Sequence, residues 1–315
     1  MSKKGATNRQ HLTISSHCNN NCVFCMERND RKYQNIYIGN TGCKEMTVAL
    51  LKKILPRLNN RKPIVLTSGE PTLAKELLGI ILLLKNKGFK DITLQTNGRM
   101  LTHMDYCVEL VKAGINSFSI SIHGSNYKIH EALTRTCGSF QQTFSGIENL
   151  LKLKKLFPYI KIITTTTVNK LNIKDIQNLL KMLIIDRPLI NVVVLNPISL
   201  RGNALIYSQH LAISYTDIFN TVRQSLSALS IENNDKITIT DLPMCINDFY
   251  SGPSEDISLT DIKLNQQRLK LKAGEKSLKR KECMKCAYYN ICAGISEEYI
   301  KIFGWNEFSP VITNH

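Results

Sequence analysis

Short apolar runs recur along the chain, and between them apolar residues return every three to four positions. Residues 11–15, 64–67, 92–96, 117–122, 160–168 and 191–195 read as strands, being short, bounded by turn residues and in several cases rich in Ile, Val and Thr. The intervening segments read as helices. Residues 46–58 place Met46, Leu50, Leu51, Ile54 and Leu55 at helical spacing, with Thr47 near the start and Pro56 near the end. Residues 73–86 are amphipathic and stop at Gly88. Thr102 with Asp105, and Ser139 with Gln142, have capping-box spacing and predict helices ending at Gly114 and near Leu156. Asn172 opens one more, reaching Ile185.

Six strands alternating with helices, at about 25 to 35 residues per unit, predict parallel βαβ repeats. Right-handed crossovers curl such units so that the strand C-termini share one rim. The expected fold is therefore α/β: a partial (β/α)6 TIM-like barrel over residues 1–205, followed by a small cysteine-rich domain over residues 206–315. Residues 18–25, residues 68–72, Asn97 and residues 121–124 all fall at C-terminal strand ends, where barrel enzymes build their active sites. Residues 27–42 are polar and aperiodic, and are expected to arch over that rim and exclude water.

Composition narrows the class. Hydrophobic residues make up 43% and charged residues 21%, which argues against a disordered or fibrous chain. The longest apolar run, residues 77–84, is far below the ~20 residues of a membrane span. The basic, polar first ten residues lack an apolar signal segment, so a cytoplasmic protein without a membrane partner is expected. In that compartment ten cysteines point to metal or redox chemistry rather than to disulfides. Three cluster at residues 18–25, four more are Cys245, Cys283, Cys286 and Cys292, and Cys43, Cys107 and Cys137 stand alone as core or incidental residues. A net charge of +16 suits an anionic partner, or simply a lysine-rich composition. It is densest over residues 263–285, which include Arg268, Lys270, Lys272, Lys276, Lys279, Arg280 and Lys281. That stretch reads as an exposed loop or as a contact for an acidic peptide or RNA, nucleic acid being the less favoured partner.

The spacing Cys18-x3-Cys22-x2-Cys25 puts three soft ligands on one short loop. Structural zinc takes four protein ligands, whereas a 4Fe-4S cluster held by three leaves one iron open. The pattern resembles the signature of the radical S-adenosylmethionine (SAM) enzymes, and the resemblance runs from about His11 to Pro197. It implies a cluster on Cys18, Cys22 and Cys25 whose free iron chelates the SAM methionine, with Phe24 near the adenine. Ser68-Gly69-Glu70-Pro71 resembles the family's Gly-Gly-Glu-Pro segment, whose backbone and acidic side chain position the methionine ammonium. Ser68 replaces the first glycine and is small enough for close approach. Ser121-Ile122-His123-Gly124 resembles Ser-Leu-Asp-Gly, in which the serine and a downstream arginine, matched by Arg135, hold the SAM ribose and carboxylate. His123 replaces the aspartate, as a hydrogen-bonding residue or a base. Asn97, Thr165 and Thr167 are further candidates for cofactor contacts.

Cys283-x2-Cys286-x5-Cys292, joined by Cys245 far upstream, supplies four more thiolates. This resembles the SPASM and twitch auxiliary-cluster domains. Ser296 stands where the fuller pattern has another cysteine, so the resemblance implies at most one auxiliary 4Fe-4S cluster, with zinc as the alternative metal. The whole implies a radical SAM enzyme that cleaves SAM to a 5′-deoxyadenosyl radical, draws electrons from a flavodoxin or ferredoxin, and takes hydrogen from a peptide or protein side chain. A small metabolite or nucleotide is the alternative substrate. The reading from another class is a nonenzymatic iron-sulfur or zinc protein that binds nucleic acid.

Overall fold

The computed structural model describes residues 9–28, 45–231, 236–249 and 276–312. Of the expected lid, residues 29–42 lie outside the described residues, as do Cys43 and residues 263–275 of the basic stretch.

Seven strands form one parallel sheet: β1 (Gln10–Thr13), β2 (Ile64–Thr67), β3 (Ile92–Thr96), β4 (Ser117–Ser121), β5 (Lys161–Val168), β6 (Val192–Pro197) and β7 (Ile237–Ile239). Their spatial order is strictly sequential. Each crossover thus adds its strand at the same growing edge, and right-handed connections place the helices on one face. Those helices are α1 (Val48–Ile54), α2 (Leu77–Asn86), α3 (Met104–Ala113), α4 (Tyr127–Thr134), α5 (Ser139–Leu156) and α6 (Ile176–Leu180), followed beyond β6 by α7 (Asn203–Ile206), α8 (Ser208–Leu211) and α9 (Tyr215–Ala228). Alternation along the strands separates the two faces. Leu12, Leu66, Leu94, Phe118, Ile162, Val193 and Ile239 are buried in one core with the helical apolar stripes. Thr67, Gln95, Ser121, Thr165, Asn196 and Thr238 alternate with them and are only half-buried. The result is a TIM-like partial barrel, with β1 and β7 as its two edges.

The sheet runs past residue 205, the expected end of the barrel. β7 is only three residues long, too short for an alternation signal to stand out. Helix α9 buries Ile218, Phe219, Val222 and Leu226 in the same core.

Local signals were less exact than the strand pattern. Thr102 ends a 3-10 turn (Arg99–Thr102) and α3 begins at Met104 without a side-chain cap. Ser139 is the first residue of α5 rather than its cap, and its hydroxyl pairs with that of Thr134 at 2.7 Å. A 3-10 turn at Pro71–Leu73 delays α2 to Leu77. The helix expected up to Ile185 is divided into a 3-10 turn (Ile173–Asp175), α6 and a π turn (Lys181–Ile185).

The C-terminal part comprises α10 (Met244–Phe249), an antiparallel pair β8 (Ser277–Leu278) and β9 (Ile295–Ser296), and α11 (Glu297–Phe303). Ser296 caps α11 by accepting the Tyr299 N–H. The module is clasped to the start of α9. Tyr215 N–H donates to the Tyr299 hydroxyl at 2.7 Å, and the two rings stack at 4.2 Å. Glu307 accepts from the Thr216 N–H and hydroxyl, both at 2.9 Å, and from the Tyr299 hydroxyl.

Candidate functional site

The three N-terminal thiols lie on the loop leaving β1, and that loop is held from outside. Asn21 N–H and Val23 N–H donate to the Thr134 and Leu133 carbonyls at the end of α4, each at 2.9 Å. Asn203, opening α7, donates its N–H to the Cys25 carbonyl and its amide to the Cys22 carbonyl, both at 3.0 Å. At Gly202 a Cβ would stand 2.5 to 2.8 Å from the Arg28, Met26 and Cys25 carbonyl oxygens, so only glycine fits there. Arg99 donates to the Asn19 carbonyl and to Asn20 Oδ1, and Arg28 to the Asn20 carbonyl.

The sulfurs receive N–H groups as well. Asn20 N–H points at Cys18 Sγ from 3.4 Å and the Asn97 amide from 3.9 Å, while the Glu27 and Arg28 N–H groups face Cys25. Burial pushes all three thiols up, and for Cys22 the neighbouring Cys25 and Cys18 push the same way. Protons must therefore leave when a metal enters. Among the described residues no group of three or more His, Cys, Asp or Glu side chains is gathered so as to hold a metal ion. The fit rests on the donor set: three thiols on one loop, with N–H groups placed to tune thiolate sulfur, as iron-sulfur ligation requires.

The segment after β2 closes against this loop. Ser68 and Gly69 both take positive φ, +74° and +57°. A Cβ on Gly69 would meet the Ser15 and His17 carbonyl oxygens at 2.5 Å. Gly69 N–H donates to Glu27 Oε2 at 3.0 Å, and Glu70 N–H to the His17 carbonyl at 2.7 Å. The Glu70 carboxylate is 1% exposed. It accepts from Thr72 N–H at 3.0 Å, the Thr72 and Thr96 hydroxyls at 2.6 Å, and Asn97 N–H at 2.6 Å. Burial still raises its pKa, against the pull of those bonds. Glu70 thus ties the end of β2 to the end of β3, Pro71 opens the adjoining turn, and Asn97 is set to reach both Cys18 and Asn19 Oδ1, the latter at 2.6 Å. The acidic residue read as a ligand contact is engaged by protein donors.

Phe24 meets His123 edge to face, with ring centroids 4.6 Å apart. His123 Nδ1 accepts the Thr167 N–H at 3.2 Å, which leaves its proton on Nε2. Burial, and then His130, hold its pKa well below the usual value. His130 is itself brought down to about 4 by burial and Arg99, and its Nδ1 accepts the His123 N–H at 3.1 Å. With Nδ1 engaged by the Thr167 N–H, His123 offers Nε2–H as a hydrogen-bond donor. Ser121 and Thr165 lie side by side on the half-buried face, hydroxyls 3.5 Å apart. Arg135 ends α4 at φ +50°, one residue beyond the Thr134 carbonyl that holds Asn21. Its guanidinium lies 4.5 Å over the Tyr207 ring and donates to that hydroxyl at 3.3 Å. The geometry thus brings Phe24, Ser68, Gly69, Glu70, Asn97 and Arg135 to the cysteine loop. Sequence reasoning missed Arg99, Gly202, Asn203 and Tyr207. Only the glycine after the sixth strand offered a signal, and it has no diagnostic spacing.

In the C-terminal part, Cys245, Cys283, Cys286 and Cys292 line one cavity with Lys279, Tyr289 and Trp305. Burial, then Cys292, push Cys245 up to about 12. Gly294 N–H faces Cys292 Sγ at 3.3 Å and Val311 N–H faces Cys286 Sγ at 3.4 Å. Of the basic stretch, Lys276 pairs with Glu297 at 3.8 Å, Lys279 lies over Tyr289 and Arg280 over Trp305. Cys107 is buried, donating to the Leu101 carbonyl, and Cys137 is exposed.

The family model of the radical SAM superfamily matches residues 12–183. Over 72% of this chain and 65% of its own length, a protein of Sulfurisphaera tokodaii named probable GTP 3′,8-cyclase is 24% identical. The AdoMet-dependent heme synthase of Methanosarcina barkeri is 30% identical over 52% of this chain and 43% of its own. This chain thus covers about two fifths to two thirds of these curated relatives. Among solved structures, coproporphyrinogen III oxidase from Escherichia coli aligns with a TM-score of 0.47 at 14% identity, over 72% of this chain and 54% of that one. No helix among the described residues is long and apolar enough to cross a membrane.

Proposed function

The chain belongs to the radical SAM superfamily, and from that premise we propose that it reductively cleaves SAM and abstracts hydrogen from a small metabolite or nucleotide. The observation that carries this reading is the three-thiol loop at the barrel rim, with N–H groups aimed at its sulfurs. Cys18, Cys22 and Cys25 would hold a 4Fe-4S cluster, which when bound supplies the electron that breaks a carbon–sulfur bond of SAM. The chain's own residues orient and enclose. The Ser68–Pro71 segment presents backbone at the loop, Phe24 offers a ring for the adenine, and Ser121, Asn97 and Arg135 offer hydrogen bonds to the ribose and carboxylate. Glu70 acts through Asn97 by fixing the two strand ends.

A small-molecule substrate is preferred over the peptide side chain suggested by the C-terminal cysteines, because the matched relatives are named for GTP cyclisation and heme synthesis. In the same reading Cys245, Cys283, Cys286 and Cys292 hold one auxiliary 4Fe-4S cluster, and a flavodoxin or ferredoxin is the electron donor. Shared lining of one cavity by all four thiols supports the auxiliary site. The test is anaerobic reconstitution with iron and sulfide, followed by SAM and dithionite. The expected results are a SAM-dependent change in the cluster's electron paramagnetic resonance signal and formation of 5′-deoxyadenosine. A reduced, intact cluster giving neither would end this reading.

A further inference from the structure

The cysteine loop is bordered by elements that also bond one another. Asn21 and Val23 N–H reach the end of α4, and Asn203, opening α7, reaches the Cys22 and Cys25 carbonyls. Lys170 N–H donates to the carbonyl of Leu211, the last residue of α8, at 3.0 Å. The Ser125 N–H and hydroxyl, just before α4, donate to Asp175 at 2.6 and 2.7 Å. Helix α4, residues 169–175 and the α7–α8 pair thus form a continuous border beside the loop, whose three thiols are themselves only half-buried.

Large apolar side chains are exposed on each part of this border: Tyr127 at 57%, Leu171 at 47%, Leu205 at 40% and Ile206 at 60%. Scattered singly such residues are ordinary, but on adjoining elements they form a patch, and patches of this kind mark interaction surfaces. Arg28, Lys128, Lys170 and Lys174 stand exposed among them, and none forms an ion pair among the described residues. With Arg135, which lies on Tyr207, five cations face three carboxylates, Glu27, Glu131 and Asp175, and each of those already accepts from protein donors. Helices α7 and α8 add no acidic residue. The surface beside the three-thiol loop is therefore apolar at its centre and positive around it.

We propose that this surface docks an acidic, flavin-bearing electron carrier of the flavodoxin class, which delivers its electron to the loop from that side. The inference rests on the functional reading given above. One electron leaves the carrier's reduced flavin and enters a cluster held by Cys18, Cys22 and Cys25; the flavin is oxidised by one electron, the cluster is reduced by one, and no bond is made or broken. A carrier that exposes the apolar edge of its flavin within an acidic surface is the complement of an apolar patch rimmed by cations, and opposite charges steer the two together. Electron transfer falls steeply with distance. A border that hydrogen-bonds directly to the cysteine loop leaves little protein to cross.

The test titrates oxidised recombinant flavodoxin into the reconstituted protein by anaerobic calorimetry. Binding should weaken about 10-fold or more from low to high salt. Lys128→Glu combined with Lys170→Glu, and separately Ile206→Asp, should each weaken it about 10-fold. Formation of 5′-deoxyadenosine driven by reduced flavodoxin should fall with the binding, while formation driven by dithionite, which needs no docking, should keep the parent's rate. Lys281→Glu combined with Lys285→Glu, beside the other thiol set, should bind as the parent does. No binding by the parent, binding indifferent to salt, binding unchanged in both rim variants, or binding lost instead in the C-terminal variant would each overturn the proposal, as would ferredoxin binding more tightly than flavodoxin. A parent that forms no 5′-deoxyadenosine with dithionite would instead strike the underlying functional reading, because the titration judges the surface without turnover.

Discussion

The two cysteine sets are held in different ways, and the difference separates what each is suited to do. The N-terminal three sit on a loop fastened by α4, by the segment that opens α7 and by Arg99 after β3, so three parts of the barrel fix one irregular stretch. The C-terminal four sit in a module of short helices, turns and short strands, whose described attachment to the barrel includes the clasp of Tyr215, Thr216, Tyr299 and Glu307. Three donors would leave a coordination position of a bound cluster open. Four donors close the set, which suits structure or electron transfer more than bond breaking.

The largest expected effect tests that division directly. Replacing Cys18, Cys22 and Cys25 together with Ala should abolish 5′-deoxyadenosine formation and lower the iron content from about eight to about four per chain, two 4Fe-4S sets becoming one. Replacing Cys283 and Cys286 should also halve the iron but leave the spectroscopic response to SAM. Metal analysis with electron paramagnetic resonance measures both. A C-terminal variant that loses the SAM response would collapse the distinction, and zinc in the parent with iron near four would reassign the second set while sparing the first.

Two carboxylates sharpen the comparison at intermediate size. Glu70 is sealed and takes two main-chain N–H groups, so Glu70→Ala strands both. At ~1–3 kcal/mol for each buried unpaired group, the loss should be about 2–6 kcal/mol. It should weaken SAM binding too, because Asn97 loses its anchor. Glu307 is only partly buried, and water can replace it at Thr216. Glu307→Ala should cost about 1–2 kcal/mol and leave the SAM affinity alone. Urea unfolding of the metal-free proteins gives the stabilities, and SAM titration of the reconstituted ones gives the affinities. Equal effects on SAM would mean that the C-terminal clasp also supports the rim.

The same contrast explains what could be read in advance. Alternation and helical spacing carried the first six strands, because those signals come from burial and the core is continuous. The cysteine loop, Ser68 to Pro71 and Asn97 were legible as strand-end motifs, since chemistry at a rim constrains both residue type and spacing. Gly202 and Asn203 were not, because they serve the loop through backbone carbonyls and leave no side-chain pattern. Glu70 was legible from its motif but its protein partners were not: nothing in that motif tells that Thr96 and Asn97, at the end of the next strand, will donate to the carboxylate. The capping boxes failed for a similar reason, as Ser139 found Thr134 instead of the helix terminus.

The smallest expected effect concerns backbone strain, which the two regions handle differently. The C-terminal module uses glycine at left-handed positions such as Gly294 and Gly304, with φ +87° and +70°. The chemical rim has Ser68 at φ +74°. A non-glycine residue in that region costs ~1–2 kcal/mol, and glycine gives back ~0.5–1 kcal/mol of that advantage through its greater freedom in the unfolded chain. The Ser68 hydroxyl has one weak compensating contact, 3.5 Å from Thr13 Oγ1. Ser68→Gly should therefore stabilise the protein by about 0.5 kcal/mol, read as a small rise in the urea midpoint with unchanged slope. Gly304→Ala is the counterpart, since a Cβ there meets nothing within 4 Å and the change reports backbone conformation alone. With ψ at −156°, a region open essentially to glycine alone, it should destabilise by about 1–3 kcal/mol. If Ser68→Gly instead lowers stability, the hydroxyl contact outweighs the strain, and the serine at the rim is held for its side chain rather than tolerated for its size.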